Sequence, residues 1–280
     1  MSDTMIDQEL VAEPLPDSPR VIYGKNPLME VLCQVRFPPI LKIAVEPPAA
    51  FQERIRTQYP RLVERQITTI ELPPVVPPVL AQALRAAVPK GQGVIYDFAT
   101  ADEKWKVTLT RDFLALSTSA YRRWEEFLDH LKGPLEALTA IYAPAFFTRI
   151  GLRYQDLVRR SVLNAEEVNW SDLIKAHLAG VLGIAEVAPA VDGLAGQVII
   201  RFPRFGGKAQ MNFGIVQTVD APKEDCFLID SDFYTEERIE IADVNNILAY
   251  FNRQSGKLFR WCIQNRLHEA MEPSPVETSR

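Results

Sequence analysis

The order of secondary-structure signals runs through this chain twice, and that recurrence limits its fold more than any other feature. Phe113-Leu114-Ala115-Leu116-Ser117 leads into one long amphipathic stripe, and Phe227-Leu228-Ile229-Asp230-Ser231 leads into another. Upstream of the first, Leu28 to Phe37 alternates Val31, Cys33, Val35 and Phe37 against Glu30, Gln34 and Arg36, which is the pattern of a half-buried strand. Phe147 to Leu157 supplies its counterpart before the second. A spacing of roughly 115 residues fits both pairs of landmarks, as an internal duplication requires.

Within the first half, Phe51, Ile55 and Tyr59 fall at helical spacing over Ala49 to Tyr59, and Pro60 closes that helix. A strand is expected at Leu62 to Leu72. The prolines of Pro73-Pro74-Val75-Val76-Pro77-Pro78 lack the N–H a ladder needs, so this stretch reads as a rigid connector. Strands follow at Val94 to Phe98, Trp105 to Thr110 and Phe113 to Thr118, and then a helix carries Trp124, Phe127, Leu128, Leu131, Leu135, Leu138 and Tyr142 on one stripe, with a kink expected at Gly133-Pro134. The second half repeats this order with a helix at Trp170 to Leu182, strands at Gln197 to Phe202, Gln210 to Val219 and Cys226 to Asp232, and a long terminal helix with Asp243 as its N-cap.

The expected fold class is therefore α+β: a tandem pseudo-repeat of strand, helix, antiparallel strands and helix, its curved antiparallel sheet wrapped on long helices as in TATA-binding-protein-like or helix-grip architectures. The expected organisation is an unstructured acidic tail over residues 1–22, a first half over 23–144, a second half over 145–272 sharing one core with it, and a tail over 273–280. The likeness to those architectures concerns layers alone and carries no function.

Composition excludes several classes. With 47% hydrophobic and 24% charged residues the chain is globular, and no apolar run approaches the ~20 residues that cross a bilayer. Three cysteines without a CxxC pair fit a reducing cytoplasm better than a disulfide framework or a zinc site, and no cofactor or metal is implied. A formal charge of −5 argues against broad binding of a phosphate backbone. His130, His177 and His268 show no HxxxH or HExxH spacing, Phe205-Gly206-Gly207-Lys208 is too short for a phosphate loop, and no Gly-x-Ser-x-Gly is present. The four tryptophans fall at positions expected to face the core.

Several stretches resemble a sporadically distributed bacterial family of the TIGR series to which no reaction is assigned. They are Tyr23-Gly24-Lys25-Asn26-Pro27-Leu28 with Glu30-Val31, then Leu116-Ser117-Thr118 leading to Tyr121 and Trp124, then Thr148-Arg149-Ile150-Gly151-Leu152-Arg153-Tyr154, and finally Leu267-His268-Glu269. In that family a small apolar residue and Asn usually follow the Arg-Ile-Gly-Leu-Arg-Tyr segment, where this chain has Gln155-Asp156. The resemblance implies a bacterial cytoplasmic protein and supplies no chemistry.

The local pattern that reads as more than fold is Phe147 to Gln155. On a strand, Arg149, Gly151 and Arg153 share one face, and the glycine leaves a gap between two guanidinium groups. Arg36 sits at a comparable place in the first half. Arginine suits bidentate recognition of carboxylate or phosphate. The alternative is structural pairing with carboxylates such as Asp112, Glu125 or Glu126. His268 beside Glu269 resembles acid/base machinery, but adjacent helical positions diverge by about 100°, which favours a buried or capping role. Arg36, Arg149, Gly151, Arg153 and His268 are thus the candidate binding residues, with no catalytic set. The function expected from sequence is a non-enzymatic protein-binding or regulatory module, with a protein partner or a second copy of itself. A nucleic-acid, nucleotide or anion binder using the arginine strand is the runner-up, and an enzyme comes third.

Overall fold

A computed structural model of the chain describes residues 12–66, 94–219 and 222–276. In chain order the elements are β1 (Val21–Tyr23), β2 (Leu28–Arg36), α1 (Leu41–Val45), α2 (Ala49–Ile55), β3 (Arg61–Gln66), β4 (Val94–Ala99), β5 (Trp105–Leu109), β6 (Phe113–Thr118), α3 (Trp124–Tyr142), β7 (Arg149–Val158), α4 (Trp170–Leu173), α5 (Ala176–Ala179), β8 (Ala195–Arg201), β9 (Lys208–Gln217), β10 (Asp225–Thr235), α6 (Val244–Cys262), α7 (Asn265–Ala270) and β11 (Pro273–Pro275). The fold is mixed α+β, with a large antiparallel sheet and several helices. No helix among the described residues is long and apolar enough to cross a membrane.

Nine strands form one sheet in the order β3-β4-β5-β6-β2-β7-β10-β9-β8. The alternation in β2 and β7 fixes how they meet: Cys33 lies opposite Leu152 and Val35 opposite Ile150, which puts the apolar sets of both strands on one face at the centre of the sheet. β6 flanks β2 and β10 flanks β7. The long helices cover that apolar face, α6 packing on β7 and β10 and α3 on β6. The fully buried Phe37, Phe127, Phe147, Phe233 and Phe251 belong to a single core drawn from both halves of the sequence. A separate two-stranded sheet pairs β1 with β11.

Several expectations from sequence give way here. The helix expected at Trp170 to Leu182 is broken into α4, α5 and a 3₁₀ turn at Gly180–Gly183, and the terminal helix breaks between α6 and α7. The two breaks are one event. Ile174 and Ile263 are both extended and bridge each other, so that Lys175 N–H donates to the Cys262 carbonyl and Gln264 N–H to the Leu173 carbonyl. A contact between segments so distant in sequence leaves no mark in local periodicity. Asp243 does occupy the N-cap position of α6, but its side chain makes no capping bond. α3 runs unbroken through Pro134. The connector at Pro73 to Pro78 and the end of the strand expected at Leu62 to Leu72 lie outside the described residues.

Residues 12–22 are not the unstructured tail that their acidic composition implies. Leu15 is buried, the Tyr250 hydroxyl and the Gln254 amide donate to the Glu13 carboxylate, Asp17 pairs with Lys257, and Arg20 pairs with Glu125 at 2.7 Å. Glu13 and Asp17, which composition treats as solvated, both find donors on α6. Residues 273–275 likewise form β11, where the Ser274 hydroxyl donates to the Ile22 carbonyl.

Candidate functional site

The arginines of β7 are paired with carboxylates of the neighbouring strand. Arg153 makes a two-pronged bond to Asp230, Nε to Oδ1 at 2.7 Å and Nη2 to Oδ2 at 2.6 Å, and Asp230 is only 2% exposed. Arg149 leans along β7 across Gly151 to reach Asp232 at 2.7 Å, and it also donates to the Gln34 side chain. A Cβ at residue 151 would collide with the Arg149 guanidinium. The gap predicted at Gly151 therefore admits this chain's own Arg149 rather than a ligand. Asp230 and Asp232, the partners that sequence did not supply, lie on the neighbouring strand β10, where a diagonal reach across the pleat suits long side chains. Arg36 stands 3.9 Å from Asp112, which is the one pairing among those expected.

The histidines are also engaged. His268 Nδ1 lies 2.8 Å from the Tyr23 hydroxyl, so that α7 holds β1 in place. His130 meets the Tyr59 hydroxyl and stacks on Trp105, and His177 stacks on Trp261. Trp105, Trp124 and Trp170 are buried, whereas Trp261 is half-buried. Cys33, Cys226 and Cys262 are buried thiols whose pKa burial pushes upward, which leaves them protonated and inert near neutrality. No cluster of His, Cys, Asp and Glu suited to a metal ion occurs among the described residues.

The opposite face of the same strand is the one the helices cover. A cavity of about 330 Å³ opens there over the middle of the sheet. Tyr154 and Asp156 of β7 and Ser231 of β10 line its floor, and α6 forms one wall with Asn252, Arg253, Gly256 and Lys257. Tyr121, Arg122 and Arg123, leading into α3, form a second wall, and Ser18 to Tyr23 form a third. The Tyr154 hydroxyl donates to Asn252 Oδ1 at 3.0 Å and ties floor to wall. The side chain of Asn26 donates to the Tyr121 carbonyl and fixes the second wall to the third.

Asp156 stands out on that floor. β7 points Ile150, Leu152, Tyr154, Asp156 and Val158 toward the helices, so a carboxyl occupies a position where the pattern calls for a hydrocarbon. It is 6% exposed, and no hydrogen-bond donor or cation among the described residues contacts it. Burial, and then repulsion from Asp230 on the far side of the sheet, pushes its pKa up to about 8. The carboxyl is therefore largely protonated at neutral pH and offers one donor and free acceptor capacity to the cavity.

The same cavity is lined by six cations: Arg20, Arg122, Arg123, Arg253, Lys257 and Arg260. Arg20 and Arg123 share Glu125, Lys257 holds Asp17, and Arg260 donates to the Ile263 carbonyl. Arg122 and Arg253, on two different walls, have no carboxylate within ion-pair distance among the described residues. In a chain with 31 basic and 36 acidic residues, six cations against the three carboxyls Asp156, Glu125 and Asp17 are a local basic surplus.

Sequence reasoning passed over this site. Two signals were present: a charged residue at an inward position of a core strand, and Arg253, Lys257 and Arg260 at i, i+4 and i+7 on one helix face. The third and second walls come from segments that only the tertiary fold brings together. No protein-family model matches the chain, and no curated protein matches it in sequence.

Proposed function

We propose that this chain is a non-enzymatic binding protein built as two related halves, and that it takes an anionic small molecule in the cavity where those halves meet. The observation that carries the reading is that Arg122 and Arg253, neither with a carboxylate partner among the described residues, line two walls of one cavity whose size falls within the ~300–1,000 Å³ of small-ligand sites. Arg122 and Arg253, both exposed, can each turn a guanidinium toward an anion in the cavity without displacing an existing ion pair. The pseudo-repeat is supported by the order of elements. In each half the first strand reaches the centre of the sheet, the last strand lies beside it, and a 19-residue helix follows.

Titration of the full chain with inorganic pyrophosphate and with citrate, followed by calorimetry, tests the reading. Binding that weakens with added salt and is lost in Arg122→Ala with Arg253→Ala supports it. Unchanged binding of both anions in that double variant refutes it.

A second reading keeps a partner of the same kind as the chain itself. β8 is an edge strand with no neighbour beyond it among the described residues, its residues are alternately exposed, and Ile199 is 54% exposed. Such an edge is a template for strand addition. Light scattering of the purified chain, with Ile199→Lys as control, distinguishes a dimer through this edge from a monomer.

A further inference from the structure

The cations account for one end of a ligand, and the rest of the cavity describes the other end. Its walls carry Tyr23, Tyr121 and Phe259, all half-buried, with the Tyr23 and Phe259 rings meeting edge to face at 71°. The floor offers the Asp156 carboxyl, 6% exposed and without a partner among the described residues, while the hydroxyl of the neighbouring Tyr154 is already committed to Asn252. A molecule that satisfies all three zones has a negatively charged group, a flat ring, and a ring edge carrying adjacent hydrogen-bonding atoms.

Resting on the anion-binding reading above, we propose that the ligand is a free mononucleotide, with its phosphate at Arg122 and Arg253, its base against the aromatic wall and its base edge on Asp156. A carboxyl that has no protein partner and opens onto a cavity is free to bond a ligand there, and a site that reads a ligand through such a group rejects analogues that lack the matching atoms. A sugar phosphate meets the cations and leaves both the aromatic wall and the carboxyl unfilled. An aryl phosphate meets the wall and not the carboxyl. The base is therefore the part of the ligand this floor reads.

The test measures affinities of the full chain for AMP, GMP, CMP and UMP, with ribose 5-phosphate as the base-free control. At least one mononucleotide is expected to bind ten-fold or more tightly than ribose 5-phosphate. Asp156→Leu is expected to bring that mononucleotide to within about two-fold of ribose 5-phosphate, while Asp156→Asn, which keeps a donor and an acceptor at the same place, retains most of the discrimination. Equal affinity of all four mononucleotides and ribose 5-phosphate in the unaltered chain overturns the assignment of the base while leaving anion binding standing. Mononucleotide discrimination that survives Asp156→Leu overturns it as well. Failure of every phosphate compound to bind, together with no response of pyrophosphate to Arg122→Ala and Arg253→Ala, removes both readings at once.

Discussion

Replacing Asp156 by Asn is expected to stabilise the free protein, by an amount that depends on pH in a defined direction. The group has a folded-state pKa near 8 against an ordinary value of 3.8. The folded chain therefore holds this proton more tightly than the unfolded chain does. The stability contributed by Asp156 is fully present below about pH 4 and is lost as pH rises toward 8, at ~1.4 kcal/mol per pH unit. At pH 7 the accumulated loss is ~4 kcal/mol, a large fraction of the ~5–15 kcal/mol that holds an ordinary domain together. Asparagine keeps the shape and cannot ionise. Urea unfolding of both proteins at half-unit steps from pH 4 to pH 9 reads the difference directly, with unchanged m-values as the check that the same surface is exposed. The two curves should converge near pH 4, diverge through neutrality and run parallel above pH 8. A difference that stays flat across the whole range would falsify the buried, unpartnered state of this carboxyl, and the site built on it would fall too.

Arg153→Ala should cost on the order of 3 kcal/mol, because it strands the buried carboxylate of Asp230, whereas Arg149→Ala should cost about 1 kcal/mol, since Asp232 is 31% exposed and can rehydrate; chemical denaturation of both variants ranks them, and equal costs would contradict the pairing described. Gly256→Ala should stabilise α6 by about 0.5–1 kcal/mol, since a Cβ there meets nothing within 4 Å, and a lower melting temperature would show that the wall is closer than it stands here. Removing residues 1–17 deletes Leu15 and the Glu13 and Asp17 contacts to α6, and should cost about 2 kcal/mol in thermal unfolding; no change would return this segment to the status of a loose tail.

The repetition of strand and stripe in the sequence anticipated the mixed sheet-and-helix layers and most strand positions, because period-two and period-3.6 patterns are local. What escaped was decided by distant contacts. The mutual bridging of Ile174 and Ile263 cuts two helices whose stripes looked continuous, and Glu13, Asp17 and Arg20 looked like a solvated tail because their partners Tyr250, Lys257 and Glu125 lie more than a hundred residues away. The arginines of β7 drew attention by their spacing, yet spacing does not tell a free guanidinium from one whose carboxylate sits on the next strand. Asp156 was visible as a residue and invisible as a site. Its inward direction follows from the alternation of β7, but the emptiness of its surroundings requires α6 and the Ser18 to Tyr23 segment in place.

The pairing of β1 with β11 bears on when the cavity can exist. Val21–Tyr23 are among the first residues of the described chain to be synthesised, and the strand that clamps them, Pro273–Pro275, is made some 250 residues later. The central sheet needs nothing beyond β10, so a nascent chain can complete it while the third wall still hangs open. A chain that has not yet reached residue 273 thus carries a finished sheet while the third wall of its cavity still lacks the strand that clamps it.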